Sequence, residues 1–111
     1  MTKIVNLTPH TINIAGHAPI MPSGEIARVN FQIIQSGEIN GIPVMETIAH
    51  GISGLPPKTK NTVYVVPSMV RQYFPSRRDL VSPAKLLRNN IGVVVGCVGF
   101  EINPEHGNIN C

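Results

Sequence analysis

Twenty of the 111 residues are glycine or proline, and they are scattered along the chain rather than gathered into linkers. Proline fixes φ and removes a backbone donor, and glycine loses the most conformational freedom on ordering, so neither propagates a helix. A chain punctuated this often builds many turns and short elements instead of long helices, which favours strands. Only 5% of residues are aromatic and Trp is absent, so the core has to come from Ile, Val, Leu and Met. The length supports one core and one domain. The expectation is an α+β, mainly β protein, a compact single domain of about six short strands with one short helix. The globular unit spans residues 1–102, and residues 103–111, which lack apolar periodicity, form a loose C-terminal tail.

The elements follow from local pattern. Ile4 to Leu7 and Thr11 to Ile14 read as two short extended runs broken at Pro9, which forces Thr8 out of the helical region. A third run covers Ile26 to Ile34. Asn40-Gly41 then signals a tight hairpin, because both residues tolerate positive φ, with Ile42 to Ile48 as the return strand and Pro43 at an edge. After a Gly-, Pro- and Lys-rich connector, Thr62 to Val66 has the β propensity of a central strand. Pro67 stops it, Ser68 is placed to cap a short helix over Met69 to Phe74, and Pro75 ends that helix. Residues 83–88 fit either a helix opened by Ser82-Pro83 or a strand turning through residues 89–92 into the extended run Val93 to Phe100. The strand–turn–strand reading fits the apolar run better.

Charge is distributed unevenly. Seven of the nine basic residues fall between Lys58 and Arg88, where Asp79 is the only acid. Residues 1–57 carry two bases against three acids, and residues 89–111 carry two acids and no base. A block this basic, folded onto one face, attracts phosphates, nucleotides, nucleic acid or an acidic protein surface. Two cysteines, Cys97 in an apolar run and Cys111, do not make a secreted disulfide framework, and no apolar segment approaches a bilayer span. A cytoplasmic protein without a membrane partner is the reading these features support.

Catalytic and metal motifs are sparse. The candidate ligands His10, His17, His50, His106, Cys97 and Cys111 show no C-x-x-C or H-x-x-x-H spacing, which argues against a metal site. One Asp, five Glu and no nucleophile motif argue against an enzyme, and nothing calls for a cofactor. Phosphate binding is better supported. The step from Thr62–Val66 through Pro67 into a Ser68-capped helix offers backbone N–H groups at a strand end, and Arg71, Arg77 and Arg78 follow to give bidentate contacts. Thr8, His10 and Arg28 are further polar candidates, and a local backbone-satisfying turn is the plainer account of Thr8 and His10. Single-stranded nucleic acid is disfavoured, because Tyr64, Tyr73 and Phe74 are the only aromatics in the basic block and the patterns bury most of them.

The N-L-T-P-H opening at Asn6–His10, P-S-G-x-x-A-R-V at Pro22–Val29, G-L-P at Gly54–Pro56 and T-V-Y-V-V at Thr62–Val66 recur together in one group of proteins. With R-x-D-L-V-x-P at Arg77–Pro83 and G-C-x-G-F at Gly96–Phe100, the chain resembles a family of small phage and prophage proteins over nearly its whole length. The resemblance implies strand, turn, strand over Leu86–Val95, brings no catalytic residue, and makes Phe31–Asn40 an insert longer than the family pattern. A phage origin implies a protein that acts stoichiometrically in host takeover. Two functions then stand beside each other: an anti-defence protein that sequesters a phosphate-bearing nucleotide signal, and an inhibitor that lays its basic face on an acidic patch of a host defence enzyme. Short strands with open edges also suggest a homo-oligomer.

Overall fold

Thr62-Val63-Tyr64-Val65-Val66 has the sequence of a strand covered on both sides, and that is where it lies. A computed structural model describes residues 2–105, with six strands and one short helix. Strand β1 (Lys3–Asn6), β2 (Arg28–Ile39), β3 (Ile42–Ser53), β4 (Thr62–Val65), helix α1 (Ser68–Tyr73), β5 (Leu80–Arg88) and β6 (Val94–Ile102) follow in chain order. The protein is mainly β, as its glycine and proline content requires.

Four strands form one sheet in the order β1-β4-β5-β6. β4 is parallel to both β1 and β5, whereas β5 and β6 run antiparallel as a hairpin. Alternation along β4 sends Tyr64 to one side of the sheet and Val65 to the other. Tyr64 and Val66 pack with Leu7, Ala27, Val70 and Leu80. Val65 packs with Ile12, Val81 and Cys97. The parallel step from β4 to β5 is made by α1, which places Val70 in the first of these clusters.

The strand reading of residues 83–88 holds, and β5 begins earlier than the turn signals suggest, at Leu80. Asn89 explains the turn after it. Its Oδ1 accepts the N–H groups of Ile91 and Val93, and its own N–H donates to Val93 O. The segment Thr11–Ile14 is not a strand but makes two isolated bridges, Ile12 with Ile20 and Ile14 with Cys97. Gly96 is what lets it lie so near β6, because a Cβ there would sit 2.8 Å from Asn13 O.

The second sheet is the antiparallel pair β2–β3 alone. Asn40 and Gly41 both take positive φ, 51° and 79°, in a two-residue turn closed by Ile39 opposite Ile42. That geometry matches the right-handed strand twist. The residues expected to loop out between the two strands instead continue them, so each is 12 residues long rather than short. The pair leaves the body near Val29 as an arm, and the molecule measures 56 × 39 × 35 Å. No helix among the described residues is long and apolar enough to cross a membrane.

Asn103 belongs to the folded body rather than to a tail. It is 2% exposed, and its amide makes four hydrogen bonds, to Arg71, Phe74 and Arg77. Residues 106–111, including His106 and Cys111, lie outside the described residues.

Candidate functional site

The seven expected contact residues do not converge, and the reason is where their polar groups are already engaged. Asn6 is buried, so its amide must be satisfied within the protein. It donates to His10 O at 2.7 Å and Ile20 O at 3.1 Å, and its Oδ1 accepts both the N–H and the hydroxyl of Thr8. Thr8 is buried inside this knot, and His10 is exposed at its edge. The N-L-T-P-H motif thus folds the N-terminal segment back on itself, which is the local turn that its hydroxyl and amide pattern allowed. Arg28 is exposed at the root of the arm, opposite Ser53, away from the others.

Ser68 does not cap the helix. Pro67 holds that position with φ −58° and ψ 147°, no side chain caps the helix, and Val70 and Arg71 already donate to Pro67 O. With only six residues and no capping side chain, α1 is too short to offer an anion site of its own. Arg71 turns inward. It is 5% exposed, donates Nε to Ser82 Oγ and Nη1 to Asn103 Oδ1, and lies 3.5 Å from Glu101. A buried guanidinium is tolerated only when paired and hydrogen-bonded, and this one ties α1 to β5 and β6 instead of presenting itself to a ligand.

Arg77 is committed as well. It grips Asp79 with two hydrogen bonds of 3.0 and 2.6 Å and donates Nη1 to Pro56 O, pinning the connector to the start of β5. Burial pushes the Asp79 carboxyl up, and the hydrogen bonds and charge of Arg77, with Lys58 nearby, more than offset it. Asp79 therefore titrates below the ordinary carboxylate value. The same bond raises Arg77.

Of the three expected arginines, Arg78 is the one left facing outward. Its Nε donates to Asn103 O, and its terminal nitrogens bond nothing among the described residues. It lines an open groove of about 480 Å³ with Lys58, Thr59, Lys60, Asn61 and Thr62. A tight turn shapes one wall: Thr62 N–H donates to Thr59 O, Asn61 takes φ 55°, and Lys3 N–H caps Asn61 O at 2.7 Å. The N–H groups of Lys60 and Asn61 have no protein acceptor among the described residues. Three cations, two open backbone donors and one carboxylate already paired with Arg77 make this groove electropositive.

Lys58 and Lys60 carry this groove, and a residue-by-residue search for arginine forks passes over them. The signal was present as a Lys-Thr-Lys-Asn run directly before the central strand, where a connector must end in a turn. A second cleft, about 530 Å³ and apolar apart from His10, Thr11 and Asn13, lies further along β5 against Pro83, Leu86 and β6. It shares no residue with the basic groove.

No protein family, curated protein or solved structure matches the chain. Function therefore rests on the geometry of the groove.

Proposed function

We propose that this protein binds and sequesters a phosphate-bearing nucleotide without turning it over, using the groove of Lys58, Lys60 and Arg78, as a phage protein would do against a host nucleotide signal. The observation that carries the reading is the gathering of these three cations around a turn with unspent backbone donors. A phosphate or pyrophosphate group needs several positive charges and N–H donors together, which this turn supports. The groove's one acid supports binding over chemistry. Asp79 titrates below the ordinary carboxylate value and both its oxygens are engaged by Arg77, so at neutral pH it has no proton to give.

The test is a thermal-melt panel of cyclic mono- and dinucleotides, ADP-ribose derivatives and inorganic pyrophosphate, with the ligand recovered and analysed afterwards. A ligand at about 100 times its Kd adds roughly 2.7 kcal/mol, a shift on the order of 10 °C in a domain this small. Lys58 and Lys60 are exposed, and replacing both with Ala should remove the shift while leaving the unliganded melt in place. No shift with any ligand, or a shift that survives Lys58→Ala/Lys60→Ala, ends the nucleotide reading. Hydrolysed ligand ends the claim of binding without turnover. The alternative, docking on an acidic host enzyme, draws on the same cations and predicts capture of a partner protein with no nucleotide effect.

A further inference from the structure

The β2–β3 arm has a sequence suited to burial and a position that leaves it bare. From residue 30 to 50 every residue is exposed except Val44, yet Ile33 is 65% exposed, Ile39 63%, Ile42 66% and Met45 56%. Register places Phe31, Ile33 and Met45 on one face and Ile34, Ile39, Ile42 and Val44 on the other, so turning the arm over would not bury its apolar side. A two-stranded hairpin is marginal in water unless something packs against it. Natural sheets guard open edges with charges, proline or bulges, of which this arm has Pro43 near its tip and two register shifts in β2. Residues 29–57 contain no Lys or Arg at all.

Charge selects the occupant. Beyond Arg28 at its root, the arm's charged side chains are Glu38 on one face and Glu46 on the other, so a second arm laid on it offers no opposite charge to either. The β5–β6 hairpin is also bare and apolar toward its tip, where Leu86, Leu87, Val94 and Val95 are each between 39% and 52% exposed. That surface carries Lys85 and Arg88, and residues 80–100 contain no acid. The apolar cleft beside His10 opens between Leu86, Val94 and Val95 and provides a seat for a large side chain.

Surface area points the same way. A compact monomer of this mass exposes about 6,000 Å². This chain exposes 7,686 Å², an excess on the order of 1,000 Å² or more, which covers the roughly 800 Å² per partner of a stable interface. We propose that the arm docks on a second copy of this chain: the β2–β3 arm of each protomer lies on the β5–β6 hairpin of the other, reciprocally, in a two-fold dimer. The reciprocal arrangement closes and leaves no arm free to propagate a filament. It does not depend on the nucleotide reading, since the basic groove of Lys58, Lys60 and Arg78 lies outside both surfaces.

The experiment is sedimentation equilibrium on the full chain at concentrations from about 1 to 100 µM, with circular dichroism confirming the fold of each variant. The wild type should sediment at twice the monomer mass. Glu38→Lys/Glu46→Lys should weaken association by on the order of 100-fold, and adding Lys85→Glu/Arg88→Glu in the same chain should restore it. Ile33→Asp, on an exposed position that the body's cores do not use, should give a folded monomer. A monomeric wild type overturns the proposal, whether the arm then proves covered by its own chain in hydrogen exchange or by another polypeptide. A dimer unmoved by the arm substitutions overturns it too, and failure of the charge swap to restore association removes the β5–β6 seat.

Discussion

Replacing Asn103 with Ala should destabilise the protein by about 3 kcal/mol, although Asn103 sits eight residues from the chain's last residue in a stretch without apolar periodicity. Its Nδ2 group donates to Arg71 O at 3.0 Å, Phe74 O at 2.9 Å and Arg77 O at 2.9 Å, and its Oδ1 accepts Arg71 Nη1 at 3.0 Å. Those bonds are not equal losses. Arg71 O still accepts Phe74 N–H and Phe74 O still accepts Arg77 N–H in the variant, so two of the three carbonyls keep a partner. Arg77 O does not, and an orphaned, partly buried acceptor costs toward the low end of about 1–3 kcal/mol. The buried Arg71 guanidinium loses a charge-assisted bond worth about 1.5–3 kcal/mol. It keeps Ser82 and Glu101, and water can reach the partly exposed carbonyl, so the lower half of the combined range applies. Urea unfolding at neutral pH measures the loss directly, and a thermal midpoint lower by about 12 °C should accompany it at roughly 4 °C per kcal/mol. Truncation after Ile102 should cost at least as much, because the Asn103 carbonyl that accepts Arg78 Nε goes as well. A variant within about 1 kcal/mol of wild type would refute the assignment of Asn103 as the clasp that closes α1 and β6 onto each other.

Four further substitutions read other parts of the framework. Asp79→Ala leaves Arg77 with only Pro56 O and should cost about 3 kcal/mol at pH 7. Because the folded Asp79 titrates below its unfolded value, that contribution is complete above the unfolded pKa of about 4 and fades as pH falls through the folded value. Urea midpoints for wild type and variant should stay apart from pH 8 to 5 and converge below pH 4; a constant gap would contradict the ion pair. Gly54→Ala should cost more than about 3 kcal/mol, since its Cβ would lie 2.0 Å from Ile26 O at φ +77°. Gly51→Ala, at φ +103° with open space, carries only the left-handed penalty of about 1–2 kcal/mol, and equal losses in differential scanning calorimetry would refute the clash. Asn6→Ala should lower stability by about 3 kcal/mol by orphaning the buried Thr8 N–H and loosening His10 O and Ile20 O. Retained hydrogen-exchange protection at Thr8 would show that the turn forms without it.

What could be read along the chain was whatever a short window of residues decides. Thr62–Val66 is a central strand because five consecutive β-forming residues between turn formers have no better use. Asn40-Gly41 makes its hairpin turn because those two residues accept the positive φ that the turn demands, whatever surrounds them. The strand–turn–strand over residues 83–100 followed from its apolar run, and the mainly β class followed from the density of glycine and proline. The local knot of Asn6, Thr8 and His10 was equally available, because every bond in it but one spans four residues or fewer.

The fate of each charge was decided only in three dimensions. Arg71, Arg77 and Arg78 look alike in sequence, yet one is buried against Ser82 and Asn103, one is locked to Asp79 and Pro56, and one faces a groove. Apart from Asp79, two residues from Arg77, the partners that separate them lie 11, 21 and 32 residues away, beyond the reach of any periodicity. Asn103 carried no local signal for the same reason: its importance comes from three carbonyls that other elements bring to it. The arm was misjudged in length because strand propensity sets which residues can extend, whereas only the absence of a covering layer shows that they extend outward. Hydrogen-bond and turn preferences act over a few residues and are written in order along the chain. Burial and ion pairing act over distance in space, and the fold must exist before they can be assigned.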